Sequence, residues 1–489
     1  MPAGFSGADF YYILPEIILT SGALLLLLVD VLFPKCESTV FGMAITTLLA
    51  TLAMTVSFAG TKITVSAGLL AIDGFAMFFK SIFLLSAIMT VLMSASYLRV
   101  EGVRAAEYYF LVLCATLGMM FMASGVDLIT LFIGLETMAV SFYILVGFLK
   151  PSQRSNEAAV KYFLLGAFSL GILLYGMSLL YGITGTTSLS GIADALVGTE
   201  STLLLSLTFI LVAVGMGFKV AAVPFHMWAP DVYEGAPTPV TAFLSVGSKA
   251  AAFAMLLRIF FEGLPTLVAD WQTLFWILAA VTMTVGNIAA LTQTNTKRML
   301  AYSSIAHAGY VLIGVAVGTE RGVSATMVYL WVYLFTQFGA FAVIAMMRRP
   351  DVVGDELKDL SGLYFRKPFA AVAMLIFMLS LGGIPPTAGF MGKFWIFGAA
   401  IDSGFVWLAV IGVINSAISL YYYYRIIVFM WIKEETLGSD IEIGPAMATA
   451  LGIAVVGSIF FGIYPEMVFD QAQLATEMFG LAVSTVVQQ

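Results

Sequence analysis

The chain has 489 residues, 61% hydrophobic and only 10% charged, with a net charge of −7; soluble domains carry about 25% charged residues. A water-exposed globule of this length is excluded, because compact soluble proteins keep polar residues on their surface. Apolar runs long enough to cross a bilayer, about 20 residues each, recur from one end to the other.

Taken in order, these runs predict an all-α polytopic membrane protein of about fourteen spanning helices. Numbered 1 to 14, they cover 12–33, 39–59, 74–97, 106–124, 127–149, 158–182, 201–223, 238–262, 270–292, 299–318, 325–347, 368–401, 404–432 and 445–470. The segment before the first (MPAGFSGADFYY) has no Lys or Arg, so a cleaved secretory signal is not expected. Helix 7 runs into VPFHMWAPDVYEGAPTP (223–239), whose prolines remove donors and clash with helix continuation. Helix 12 contains LGGIPPTAGFMGKF (381–394), with Gly382, Gly383, Pro385, Pro386 and Gly389. Non-helical backbone at membrane depth is tolerated only where protein or a water-filled cavity satisfies it. The longest polar connection, 348–368, reads as a solvated loop or a short surface helix.

If helices 4–8 and 9–13 form two five-helix units, the odd number gives them opposite orientations, and the broken helices 7 and 12 are fourth in each. Interruptions at matching positions are the signature of inverted repeats, and they point to a transport site. The expected division is three N-terminal helices (1–105), the first repeat (106–265), the second (266–433), and a last helix with its tail (434–489). Alternating the loops puts Lys35, Arg99, Arg104, Lys150, Arg154, Lys297, Arg298, Arg348, Arg349, Lys358, Arg366, Lys367 and Lys433 on one side, and only Lys62 and Arg321 on the other. By the positive-inside rule the crowded side is cytoplasmic and both termini lie outside.

Charged groups inside these helices carry the chemistry. Glu136 sits near the middle of helix 5, where a charge costs about 2.5–3.5 kcal/mol on insertion scales. Lys219 precedes the break in helix 7, Lys249 is mid-span in helix 8, and Lys393 follows the break in helix 12. A desolvated ammonium loses its proton more readily, and a nearby carboxylate restores it. A row of such groups can therefore hand protons across the hydrocarbon; buried ion pairs that only fix helix register are the alternative. His307, mid-span in helix 10 beside Ser303 and Ser304, suits a relay near neutral pH. His226, two turns beyond Lys219, either links it to the cytoplasmic side or bonds one helix to another. Lys161, shallow in helix 6, is a proton-uptake partner or snorkels. Lys80 and Arg425 read as snorkelling, Asp231 and Glu234 as local pairs, and Tyr421–Tyr424 as an interfacial aromatic belt.

Cys36 and Cys114 are far apart, and no CxxC pair occurs, so neither iron–sulfur clusters nor structural zinc is expected. There are two histidines and no glycine-rich nucleotide loop. No bound cofactor and no nucleic-acid partner are expected; the lipid bilayer is the surroundings.

The stretch PFHMWAPDVYEGAPTPVTAFLSVGSK (224–249) closely resembles the antiporter-like membrane subunits of respiratory complex I, the bacterial NADH–quinone oxidoreductase. GLETMAVSFYILVGF (134–148), SNEAAVKYFLLGAFSLGILLYGMSLLYGITGT (155–186), KRMLAYSSIAHAGY (297–310) and LSLGGIPPTAGFMGKFWIF (379–397) extend the resemblance over helices 4–13. It is nearest to the N type: the L type has a histidine in place of Lys249, and the M type typically a glutamate in place of Lys393. The resemblance implies a proton-translocating subunit with Glu136 and Lys219 as a coupled pair, Lys249 as central relay and Lys393 as the relay toward the outer exit. Lys161 matches the family's helix 6 lysine. It further implies that FMN, iron–sulfur clusters and quinone belong to partner subunits. Those partners would be a second antiporter-like subunit and small helical subunits in a bacterial inner membrane. The rival readings are a cation/proton antiporter subunit, or the membrane subunit of a hydrogenase- or deazaflavin-linked complex.

Overall fold

The computed structural model describes residues 7–33, 36–199, 202–349, 352–433 and 443–479; Lys35, counted above, and the tail beyond 479 lie outside them. Among the described residues, 13 helices are long and apolar enough to cross a membrane. They are α1 (Leu14–Leu32), α2 (Glu37–Ser57), α3 (Gly74–Glu101), α4 (Ala105–Ser124), α5 (Leu128–Val146), α6 (Gln153–Thr184), α7 (Leu203–Val220), α8 (Thr238–Gly263), α9 (Pro265–Ala290), α10 (Thr296–Val317), α11 (Glu320–Ala345), α13 (Val406–Trp431) and α14 (Pro445–Ile463). The remaining span, α12, is divided into Pro368–Gly382 and Ala388–Asp402. The chain is a multi-pass all-α membrane protein, and the numbering of the expected spans carries over unchanged.

Two local features depart from expectation. The last span stops at Ile463 rather than 470, because Pro465 cannot continue it. A separate amphipathic helix, Glu466–Phe479, then packs back on α3 and α11. A small antiparallel hairpin, β1 (Ile63–Val65) with β2 (Leu70–Ile72), joins α2 to α3; three-residue strands are too short to show an alternating pattern. The 348–368 connection folds into two short helices, Leu357–Leu360 and Leu363–Arg366. Asp355 and Leu357 anchor it by backbone hydrogen bonds to Thr296 and Thr294.

The helices α8, α10 and α11 are buried almost throughout, whereas α1, α2 and α6 keep most residues at the periphery. Helix packing in lipid relies on close approach, not on hydrophobic exclusion, and glycine permits it. A Cβ on Gly118 of α4 would lie 2.4 Å from the Met138 nitrogen of α5, and one on Gly309 of α10 would lie 2.6 Å from the Met283 nitrogen of α9. The first two helices of each five-helix unit therefore cross at backbone contact, in keeping with the inverted repeat.

Both broken helices end in left-handed residues, Ala221 (φ 60°) and Gly383 (φ 83°). At the first break, the Trp228 indole donates to Phe218 O at 2.9 Å and Val223 N–H to Thr282 Oγ1 at 3.0 Å. A short helix, Trp228–Gly235, completes α7. At the second, Gly383 and Ile384 N–H both donate to Leu379 O at 3.0 Å, and Gly389 N–H to Ser380 Oγ at 3.0 Å. Groups freed by the kink are thus paired inside the protein, as a hydrocarbon surround demands. Helix α8 contains two π-helical segments, Leu244–Ser248 and Arg258–Gly263, flanking Lys249–Leu257. Such segments lack a compositional signature and often occur at functional sites.

Candidate functional site

The charged residues expected inside the membrane fall along the buried middle of the bundle. Glu136 is half-buried on α5, and its Oε1 has no hydrogen-bond partner among the described residues. Two turns further along the same helix face, the Tyr143 ring lies 5.7 Å from Lys219 Nζ. Lys219 is buried in the last turn of α7's first half, and its ammonium also has no hydrogen-bond partner among the described residues. Among the described residues, Glu136 and Lys219 form no direct hydrogen bond with one another.

Lys249 directly follows the π segment of α8 and is buried. Its Nζ donates to Ser304 O at 2.8 Å and Ser304 Oγ at 2.7 Å, both on α10, and the Tyr233 ring lies 5.8 Å away. One turn beyond Ser303 and Ser304 is His307, with Nδ1 2.7 Å from Tyr329 OH and Nε2 3.1 Å from Tyr423 OH. Tyr423 also bonds Ser303 Oγ. Lys393, on the second half of α12, donates to Leu381 O at 3.0 Å and Gly382 O at 3.1 Å. These are terminal carbonyls of the first half, left without intrahelical partners and carrying the partial negative charge of a helix end. Lys393 also borders a cavity of about 320 Å³ that reaches Phe394 and Ile401 at the periphery.

At one end of the bundle a cavity of about 200 Å³ is lined by Arg154, Glu157, Lys161, Asp231, Glu234 and Arg298. Lys161, its side chain 42% exposed, pairs with Glu157 at 2.7 Å and Asp231 at 2.8 Å. Arg298 pairs with Asp231 at 2.6 Å and Glu234 at 3.0 Å, and Arg154 with Glu234. Lys297 Nζ donates to Glu234 O at 3.0 Å and Ala236 O at 2.6 Å. The acids read as local pairs therefore tie together α6, α7 and α10. His226 stands apart: it is half-buried, and its Nδ1 has no hydrogen-bond partner among the described residues.

Two sequence readings need correction. Lys80 does not snorkel: it is fully buried and pairs with Glu16 of α1 at 2.7 Å, a counter-charge within the bundle that removes the need to reach an interface. Arg425 does stay shallow, donating to Leu291 O at 3.0 Å at the end of α9. The run Tyr421–Tyr424 is only half a belt. A helix turns 100° per residue, so Tyr421 and Tyr424 are 63% and 61% exposed while Tyr422 and Tyr423 are buried.

Sequence reasoning missed Tyr329 and Tyr423, because a phenol beside a histidine on another helix has no local signal. It also missed a buried ion cluster. Arg258 of α8 is 0% exposed, donates to both Asp73 oxygens at 2.8 Å, to Glu262 at 2.5 Å and to Ala123 O at 3.0 Å. Arg258 and Glu262 at i, i+4 in an apolar span were the available signal. Asp73 also caps α3, accepting from Ala76 N–H at 2.8 Å.

Residues 123–419 match the family described as NADH:quinone oxidoreductase/Mrp antiporter, TM. The chain is 47% identical over 478 residues to the NADH-quinone oxidoreductase subunit N of Trichlorobacter lovleyi, covering 97% of this chain and 98% of that one. Among solved structures it is similar to a chain of respiratory complex I from Thermus thermophilus, with TM-score 0.81, 34% identity and coverage of 94% and 100%. A chain of the membrane-bound sulfane sulfur reductase, an archaeal respiratory membrane complex, gives TM-score 0.85 and 25% identity, with 99% of each chain covered.

Proposed function

Because the chain belongs to the NADH:quinone oxidoreductase/Mrp antiporter membrane family, we propose that it moves protons across the bilayer as the N-type membrane subunit of an NADH–quinone oxidoreductase. The observation that carries this reading is the row of protonatable groups inside the spans, half-buried Glu136 and buried Lys219, Lys249, His307 and Lys393, with lysines beside both helix breaks. Packing alone supplies no reason for charges there, since each costs about 2.5–3.5 kcal/mol at mid-membrane.

In this reading the cavity around Lys161, Asp231 and Arg298 collects protons from the cytoplasm. Lys219, untethered by hydrogen bonds among the described residues, holds or yields its proton as the distance to Glu136 changes. Lys249 passes it by way of Ser304 and His307 to Lys393, which releases it to the outer side; His226 is a lesser partner near Lys219. Redox energy arrives from partner subunits that hold FMN, iron–sulfur clusters and quinone. Moving one proton against the membrane potential requires about 2.3 kcal/mol per 100 mV. A lysine whose proton affinity swings by a few pKa units, at about 1.36 kcal/mol each, covers that requirement.

The chain divides into 1–105, a first repeat 106–265, an inverted second repeat 266–433 and 434–489. It sits in a bacterial inner membrane with both termini outside, against another antiporter-like subunit and small helical subunits. Lys219→Ala in the whole complex should abolish NADH-driven proton uptake by vesicles while NADH oxidation by an artificial acceptor continues. Undiminished pumping in that variant overturns the reading.

A further inference from the structure

The two carbonyls at the break of α12 use two of the three donors of the Lys393 ammonium. Among the described residues no carboxylate pairs with it; Asp402, on the same half-helix, pairs with Arg321 instead. What lies over the ammonium is a ring: Lys393 Nζ is 4.9 Å from the centroid of Tyr310 on α10. Tyr310 is buried, and its hydroxyl accepts from Asn287 Nδ2 of α9 at 3.2 Å. Asn287 is also buried; it donates to Met283 O at 2.9 Å and accepts from the Tyr422 hydroxyl of α13 at 2.8 Å. The Phe397 ring, one turn beyond Lys393, meets Tyr310 edge to face at 6.0 Å. The tyrosine is therefore pinned at its hydroxyl and at its ring. A similar pairing recurs at the other break, where Lys219 Nζ lies 5.7 Å from the centre of the Tyr143 ring on α5. Helices α5 and α10 each stand two places before a broken helix.

We infer that Tyr310 is a positioning residue for Lys393: its ring face is the neutral counter-group of the ammonium, and Asn287 and Tyr422 hold the ring in place. The inference deepens the proton-carrying reading above and rests on it. An aromatic ring is negative on its face, and a cation lying over that face is stabilised more strongly where water is excluded. A buried carboxylate would instead form an ion pair whose separation is expensive. The ring carries no net charge, and its carbon face cannot take the proton. Tyr310 thus favours a loaded Lys393 without locking the proton there. The other titratable groups in the middle of the helices packed against this half of α12 are His307 of α10, Tyr329 and Tyr333 of α11, and Tyr422 and Tyr423 of α13. None of them is a carboxylate, so none replaces the ring as a negative partner.

The test weakens the ring face in steps while nearly keeping its shape, in the intact complex reconstituted into vesicles. Tyr310→Phe keeps the face and loses one hydrogen bond, so it should pump at most about fivefold more slowly than wild type. Phenylalanines carrying one, two and three ring fluorines are then placed at the same position, each fluorine drawing electron density from the face. A weaker face stabilises the ammonium less, so Lys393 holds its proton only to a lower pH. The alkaline pH at which pumping falls to half should therefore step downward with each fluorine, by about one unit in all. Tyr310→Leu, which removes the ring, should give the whole displacement at once. Ferricyanide reduction by NADH should be unchanged throughout, which shows that the complex has assembled. A pH profile that ignores fluorination overturns the inference. So does a Tyr310→Phe complex that does not pump, because the hydroxyl would then be the working group. If Lys219→Ala abolishes pumping while the profile ignores fluorine, only the role of the ring fails; if Lys219→Ala itself pumps, the reading beneath it fails.

Discussion

Lys249→Arg separates a charge that anchors helices from a charge whose proton must leave. The substitution keeps the positive charge at the centre of the bundle, where Ser304 offers two acceptors at 2.7 and 2.8 Å. Arginine's reference pKa is at least about 2 units above that of lysine, so releasing its proton costs about 3 kcal/mol more, or roughly a hundredfold in rate. Its five donors also exceed the two acceptors lysine uses, leaving N–H groups unpaired at about 1–3 kcal/mol each. The complex should therefore assemble in reduced yield, oxidise NADH with an artificial acceptor, and pump roughly a hundredfold more slowly than wild type. The assay is fluorescence quenching of a pH dye in vesicles, normalised to assembled complex on a native gel. A Lys249→Arg complex that pumps at the wild-type rate would refute the reasoning, because Lys249 would then be only a structural cation.

Arg258→Met leaves buried Asp73 and part-buried Glu262 without their shared guanidinium. Loss of one partner from a buried ion cluster costs about 3–5 kcal/mol, which should appear as a lower melting temperature and less assembled complex. Adding Asp73→Asn and Glu262→Gln should recover most of the loss. The Glu16–Lys80 pair lies off the proposed axis, so Glu16→Gln/Lys80→Met together should pump at close to the wild-type rate. Lys80→Met alone should destabilise the N-terminal helices by leaving Glu16 unpaired, measured by the same thermal assay.

Residue order alone determined that the chain spans the membrane about fourteen times, where α7 and α12 break, and which charges cannot be lipid-facing by accident. Each of these follows from transfer free energy or backbone sterics: apolar length, proline and glycine act locally and are read directly. Glu136, Lys219, Lys249, His307 and Lys393 were legible for the same reason, a charge or imidazole being conspicuous in hydrocarbon. What those residues touch was not legible. That Tyr423 faces His307 while Tyr424 faces outward depends on the rotation of α13 against α10, and that Lys80 meets Glu16 depends on how α1 lies on α3. The Arg258 cluster likewise joins residues 185 positions apart. Hydrogen bonds between helices are set by crossing angles and rotations to within an ångström, and no pattern along a single helix encodes them; only the assembled bundle decided which partners the buried charges have.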